Sequence, residues 1–158
     1  MTKFLLAVHV IAAILAIGPV AVAASMFPPA ARRALTTGPG ADDSHGHGTP
    51  DPTATLAVLH RICRVYAVVG VVVPVFGFAT ASEMGVLGSA WLIVSIVLTA
   101  LAALVLAALI LPAQSALLEG SAGAGRTARL AMVTGLFNLL WAAVTVLMIV
   151  RPGSTTGA

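Results

Sequence analysis

Histidines and arginines are the residues of this sequence whose side chains offer chemistry in an otherwise apolar chain. His9 lies inside the first apolar run, which reads FLLAVHVIAAILAIGPVAVAASM over residues 4–26. His60 stands beside Arg61 and Arg64 in the stretch LHRICRVYAVV. A histidine ring nitrogen can ligate a haem or metal ion, transfer a proton, or form a hydrogen bond. An ionisable residue inside an apolar run is therefore a functional hypothesis.

Two interpretations of His9 stay open on the sequence. In the favoured one it is a neutral packing residue, because a neutral imidazole costs less to bury than a charged group. Its predicted partner is then a hydroxyl at the same depth, from Thr80, Ser95 or Thr145. In the other interpretation, His9 binds a haem or metal ion or relays a proton, and the small residues on its helix face leave room for a flat ligand.

His60 is the second candidate ligand, and the predicted topology separates it from His9. The two lie at opposite surfaces of a hydrocarbon core about 30 Å thick, so they cannot hold one metal ion or both faces of one haem. Each could supply one axial ligand, with Met132 or Met148 as a thioether partner. Packing or lipid contact is the more ordinary role of a helical methionine, and we predict that role for both.

Arg61 and Arg64 lie one helical turn apart, next to His60. Arginines at the end of an apolar run contact anionic lipid headgroups and set the orientation of the helix. We predict headgroup contact for both residues. The functional alternative is an anionic ligand, such as a haem propionate or a particular phospholipid.

The other polar residues indicate neither a metal site nor catalysis. Asp42, Asp43, His45 and His47 form a short cluster, but glycines surround it and make its ordering costly. No apolar run contains the carboxylate that a proton-coupled exporter needs, and no arginine repeat of a voltage sensor is present. A nucleophile–base pair is also missing. We therefore predict no catalytic residues and no enzyme activity.

Composition places these residues in a membrane. Only 8% of the 158 residues are charged and 59% are hydrophobic, whereas a soluble domain is about a quarter charged. Four runs approach or exceed the about 18–20 apolar residues that cross a bilayer. The net charge of +3 does not indicate nucleic acid, because the basic residues flank apolar runs and act as topological signals. Residues 1–158 are predicted to form a single membrane domain.

The four runs predict an all-α polytopic membrane protein, a bundle of four transmembrane helices. The predicted transmembrane helices cover about residues 4–25, 60–81, 89–113 and 128–150. We expect Pro28 and Pro29 to end the first helix. Residues 27–52 are rich in Pro, Gly, Thr and Asp and are predicted to form a flexible loop. The alternative for the first helix is a signal peptide with a cleavage site at residues 21–23.

Small residues predict which helix faces are buried. In the fourth helix Gly135, Asn138, Ala142 and Thr145 recur at steps of three and four, so they form one stripe. Membrane helices associate through small residues and occasional polar ones. We therefore predict that this stripe faces other helices and that the bulky aliphatic residues face lipid.

The same residues carry a family resemblance. An early His9, the pair Gly18-Pro19 and a second helix opening LHRICR resemble small, uncharacterised four-helix membrane proteins of actinobacteria. Those proteins are distantly similar to the copper-resistance D-type group of membrane proteins. The resemblance implies that helix-borne histidines bind haem or copper. In this sequence it implies such a role only for His9 and His60. The methionine- and histidine-rich sites of a copper importer are missing from this sequence.

Together these observations favour a non-catalytic accessory or structural subunit, or a small homo-oligomer, of a bacterial plasma membrane. Its expected partners are the lipid bilayer and a larger membrane complex, and no cofactor is expected. The alternative function is a haem- or metal-binding redox or transport component that uses His9, with b-type haem as the cofactor.

Basic residues predict the orientation of the chain. The first and third loops, with the adjoining helix starts, carry six Arg, whereas the two termini and the second loop carry one Lys and one Arg. Lys and Arg are enriched in cytoplasmic loops. Residues 27–52 should therefore lie in the cytoplasm, with both termini outside.

Alkaline phosphatase fused after Ala158 should be active, because this reporter works only when it is exported. A cytoplasmic reporter at the same point should be inactive. The reverse pair of results would overturn the predicted orientation.

Overall fold

Helices make up nearly all of the structure, a computed structural model that describes residues 1–36, 51–120 and 123–153. The elements are α1 Thr2–Thr36, α2 Pro52–Val69, α3 Val72–Glu83, α4 Ala90–Leu104, a π-helical segment Val105–Ile110, α5 Leu111–Leu118 and α6 Ala124–Val150. They form four continuous spans that are long and apolar enough to cross a membrane: Thr2–Thr36, Pro52–Glu83, Ala90–Leu118 and Gly125–Val150. The prediction of an all-α, four-helix membrane fold is confirmed.

Helix α1 continues through Pro28 and Pro29 to Thr36. The prediction that these prolines end the helix, and that a loop begins at residue 27, is therefore wrong. Proline removes a backbone donor and crowds the preceding turn, but burial outweighs that penalty here. Phe27 and Ala31 belong to the same buried core as residues of α2. Residues 37–50 of the predicted loop, including the 42–47 cluster, lie outside the described residues.

The second span is interrupted at Gly70, one turn before Pro74. A proline ring clashes with the carbonyl four residues earlier, which here belongs to Gly70. The Val73 amide donates to that carbonyl at 3.1 Å, and the Val71 amide donates to Val68 O at 3.1 Å. These tighter turns interrupt the regular α-helical hydrogen bonding while the Gly70 carbonyl keeps a partner.

The third span makes the opposite adjustment. Its π-helical segment ends just before Pro112, and the Leu111 amide donates to Leu106 O, five residues earlier. A wider π turn shifts the backbone hydrogen bonds by one residue, just before the proline ring. Both irregular turns lie inside apolar runs, where the backbone has no water to bond.

Most of the buried core lies toward one end of the bundle. This arginine-bearing end is formed by the last turns of α1, the first turns of α2 and α6, and α5; it carries Arg32, Arg33, Arg61, Arg64, Arg126 and Arg129. The largest core side chains there are Phe27, Leu56, Leu59, Ile110 and Leu130. The spans are 26 to 35 residues long, whereas about 20 helical residues cross the hydrocarbon core. The helices therefore continue past the predicted membrane segments.

The opposite end is joined by a smaller cluster. Trp91 and Leu92 of α4 are buried with Ala81, and Met148 of α6 packs against them. Arg151 ends α6, and its guanidinium lies 5.7 Å from the Trp91 ring centre. Such a cation–π contact ties the end of α6 to the start of α4.

The buried face of α6 differs from the predicted one. Gly135, Ala142 and Thr145 are exposed, and Asn138 is only partly buried. The buried residues are Thr127, Leu130, Thr134, Phe137 and Val144. The two faces differ by one residue, about 100° around a helix. The prediction was wrong because aromatic side chains fill the interior: Phe137 and Trp141 pack edge to face, with ring centres 6.4 Å apart.

Two identical substitutions on α6 test this burial pattern. Leu130 is 2% exposed and Leu139 is 69% exposed. Leu130→Ala should lower the free energy of unfolding in detergent by about 2 kcal/mol or more, because it leaves a cavity. Leu139→Ala should change it by less than about 0.5 kcal/mol. Equal losses of thermal stability would contradict the assigned face.

Candidate functional site

His9 of α1 packs against α3. Its Nδ1 is 3.0 Å from the backbone carbonyl of Val73. Because a carbonyl only accepts, the hydrogen bond places a proton on Nδ1, and the corresponding neutral tautomer has its lone pair on Nε2. The predicted hydroxyl partner is therefore wrong: the partner is backbone.

The hydroxyl groups proposed as partners are used within their own helices. Thr80 donates to Phe76 O at 2.7 Å, and Ser95 donates to Trp91 O at 2.8 Å. Thr145 donates to Trp141 O at 2.9 Å. Bonding to the carbonyl four residues earlier is a common way for such hydroxyls to be satisfied in a helix.

Gly77 provides the space that the His9 ring occupies. A Cβ atom at this position would come within 2.8 Å of His9 Cε1 and 3.1 Å of Nδ1. Real side chains essentially never approach so closely, so any larger residue would displace the imidazole. The glycine thus brings α1 and α3 together around the histidine ring.

His60 forms a second link between spans, through Gln114 of α5. His60 Nδ1 is 3.1 Å from Gln114 Oε1, and Gln114 Nε2 is 3.6 Å from Cys63 Sγ. With the amide nitrogen on the sulfur side, the amide oxygen accepts and His60 Nδ1 donates. Gln114 is fully buried, so this chain of contacts fixes α5 against α2.

Gln114 was not identified from the sequence. It is the sole glutamine of the chain and lies at the end of the third apolar run, two residues after Pro112. A polar amide at that position could be read as an ordinary interfacial residue. Only the packing of α5 against α2 in the structure shows that Gln114 is buried.

The structure keeps the two histidines apart. His9 meets the second span at Val73, and His60 lies on that same span 13 residues earlier. At the rise of an α-helix this separation is about 20 Å. Arg61, next to His60, and Arg64, one turn further along, are both exposed, as lipid headgroup contact requires.

A cavity of about 150 Å³ lies between the four spans. Its walls are mostly apolar and include Ala16 of α1, Thr99 of α4, and Phe137 and Trp141 of α6. Both irregular backbone regions border it, through Gly70 and Pro74 in the second span and Leu106 in the third.

Helix α6 carries buried polar atoms without hydrogen-bond partners among the described residues. They are Thr127 Oγ1, Thr134 Oγ1, Asn138 Oδ1 and Trp141 Nε1. The Asn138 amide nitrogen is satisfied, since it donates to Ser25 Oγ at 3.0 Å. An unpaired buried polar group is costly and calls for an explanation. The sequence did not identify the two threonines and Trp141, although their spacing of seven residues places them on one helix face.

The cavity does not suit a haem. It is comparable to cavities of about 150 Å³ that hold benzene, and a porphyrin is several times larger. Neither His9 nor His60 lines it. In the described parts of the chain, no three His, Cys, Asp or Glu side chains are grouped so that they could hold a metal ion.

Comparison with protein-family models, with characterised proteins and with solved structures gives no match. The resemblance to the copper-resistance D-type group therefore stays a prediction.

Gly77→Ala should destabilise the protein by about 1–2 kcal/mol, because the new methyl group overpacks the His9 ring. The matched control is Gly135→Ala, since nothing lies within 4 Å of a Cβ there; a helical Gly→Ala change in open space is neutral or stabilising. In a His9→Ala background, Gly77→Ala should lose its cost. Additive losses in thermal unfolding would show that the two residues are not coupled.

Proposed function

We propose that this chain is a non-catalytic membrane subunit with an accessory or structural role. The observation that carries the proposal is the use of both helix-borne histidines as links between spans. His9 bonds the Val73 carbonyl, and His60 bonds the Gln114 amide. Hydrogen bonds of this kind hold membrane helices together where the hydrophobic effect does not.

The outer surface supports the same proposal. Bulky apolar residues are exposed on every span, among them Ile14, Val75, Leu104 and Ile149. Such a surface suits lipid or other membrane helices, so the partners are the bilayer and a homo-oligomer or larger complex. At the arginine-bearing end, Arg61 and Arg64 contact anionic headgroups. This end faces the cytoplasm of a bacterial plasma membrane, with both termini outside.

One observation favours the alternative, a haem- or metal-binding component. The hydrogen bond from Nδ1 to a backbone carbonyl fixes the tautomer of His9. The lone pair of Nε2 is then available to a ligand. Metal-ligating histidines are commonly oriented in this way.

An absorption spectrum separates the two candidates. Protein purified from haem-replete cells should show no stoichiometric Soret band, and His9→Ala should cost about 1 kcal/mol in thermal stability, as modest bonds between membrane helices do. His60→Ala serves as the control for a ligand at the other end. A stoichiometric Soret band that His9→Ala removes, with the bundle still folded, would replace the leading proposal by the alternative.

A further inference from the structure

The cavity between the spans is open at one side. Part of its lining is buried, with Ala16 of α1 at 1% exposed and Phe137 of α6 at 2%. The rest of its lining is exposed: Val71 and Pro74 on the second span, and Ala103 on the third. These exposed residues lie inside apolar spans. The cavity is therefore reached from the hydrocarbon of the bilayer and not from water.

Helix packing explains where the opening lies. The second span packs against α1 and meets the third span mainly through the contact of α2 with α5, whereas α4 packs against α6. His60 and Gln114 hold the contact of α2 with α5 at the arginine-bearing end. Farther from that end, the exposed lining residues belong to the second and third spans. The opening therefore lies between these two spans.

The cavity is elongated along the helices, and its lining is mostly apolar. On the second span the lining extends from Tyr66 to Pro74, and on the third from Thr99 to Leu106. By the helical rise, each wall is about 10–12 Å long. The Thr99 hydroxyl donates to Ser95 O at 2.8 Å, so it needs no partner from an occupant. These features suit a hydrocarbon chain that lies parallel to the helices.

An arginine stands at one end of this apolar wall. Arg64, Ala67, Val71 and Pro74 follow one another at steps of three and four residues, so they form one stripe on the second span. The last three of them line the cavity. Arg64 is exposed and has no hydrogen-bond or ion-pair partner among the described residues. The same is true of Arg61, which lies one turn earlier.

The two arginines are complementary in charge and shape to the phosphate of a lipid. A guanidinium group binds phosphate through paired N–H donors. Its long apolar stem allows the charged head to reach the headgroup region from the end of a membrane-embedded stripe. Basic sites between membrane helices on the cytoplasmic side bind anionic headgroups. A charged group beside an elongated apolar cavity that opens to the bilayer therefore matches the two parts of a phospholipid.

We infer that an anionic phospholipid binds here, with its phosphate at Arg61 and Arg64 and one acyl chain in the cavity. The lipid site rests on the headgroup contact proposed for these two arginines, and it adds a place for the chain and a preference for negative charge. Neither His9 nor the haem question enters it.

Fluorescence quenching by brominated lipids tests the inference. Trp141 lines the cavity, and in a Trp91→Phe background it is the only tryptophan of the chain. Bromine on an acyl chain quenches an indole ring that it touches. In mixed vesicles, phosphatidylglycerol brominated on its oleoyl chains should quench Trp141 more effectively than equally brominated phosphatidylcholine, which has no net charge. The anionic lipid should bind about five-fold more tightly or better, because each arginine near the surface contributes about that factor.

Two double variants with the same spacing separate this site from the general charge of the arginine-bearing end. Arg61→Gln/Arg64→Gln should remove most of the preference for the anionic lipid. Arg126→Gln/Arg129→Gln removes two exposed arginines from the same end. Arg129 lies eight residues along α6 from Phe137, or about 12 Å. Because salt limits the reach of an exposed charge, this control should change the preference by less than about two-fold.

A second pair of variants tests the place of the acyl chain. Ala103→Phe puts a ring at the opening of the cavity and should reduce the quenching of Trp141 by both lipids. Ala143→Phe adds the same ring at an exposed position. Two residues from Trp141, it lies on the opposite side of α6. It should leave the quenching unchanged.

Four results would overturn the inference. They are equal quenching of Trp141 by the two lipids, an equal effect of the two double variants, quenching as before in a folded Ala103→Phe variant, and no quenching by either lipid. The last would mean that another protein helix fills the cavity. The absence of a Soret band tests the accessory role separately, whichever lipid result is obtained.

Should Trp91→Phe not fold, native mass spectrometry of the otherwise unchanged protein decides. Wild type purified from vesicles that contain both lipids should retain phosphatidylglycerol in preference to phosphatidylcholine. Arg61→Gln/Arg64→Gln replaces only exposed side chains, so the bundle stays folded, and the retained phosphatidylglycerol should fall. Equal retention by the two proteins would contradict the lipid site.

Discussion

A backbone group inside hydrocarbon has no water to bond, so it needs a partner within the protein. The irregular turns of this fold supply such partners near its prolines. Pro74 would leave the Gly70 carbonyl without its usual donor, and the Val73 amide bonds it instead at 3.1 Å. The interrupted turn is followed by the Val73 carbonyl, which accepts from His9 at 3.0 Å. In the third span, a π segment re-registers the helix ahead of Pro112. These adjustments change the hydrogen-bond pattern of two spans without leaving the Gly70 carbonyl unpaired.

The irregular turns also border the interior. Gly70, Pro74 and Leu106 belong to or adjoin the irregular turns, and all three border the central cavity. Phe137 and Trp141 of α6 also line this space. Irregular turns of two spans and aromatic side chains of a third therefore meet at one place in the bundle.

Polar contacts hold the spans together on either side of this space. At one side, the imidazole of His9 lies over Gly77, where a Cβ would approach to 2.8 Å. Toward the arginine-bearing end, Gln114 lies between His60 and Cys63. Each contact joins a different pair of spans, and each uses a residue too polar to face lipid. In a bilayer such contacts specify which helices meet, since lipid tails offer no hydrophobic contrast.

The sequence by itself determined the number of spans and the chemistry of their few polar residues. Four apolar runs and a charge content of 8% leave no other architecture, because runs of that length need a bilayer or a core that this chain cannot build. The separation of His9 and His60 also follows from their positions along antiparallel spans.

Only the tertiary structure decided the helix faces, the helix ends and the polar partners. Small residues mark a surface where helices can meet, yet Gly135 and Ala142 are exposed and Phe137 is buried. The lipid-facing side and the helix-facing side of a span are both apolar. Composition therefore does not show which side contacts lipid and which contacts protein. Helix α1 passes Pro28 because Phe27 and Ala31 are buried against α2, an interaction between residues far apart in the chain. His9 likewise meets a backbone carbonyl, which every residue possesses and no sequence pattern marks.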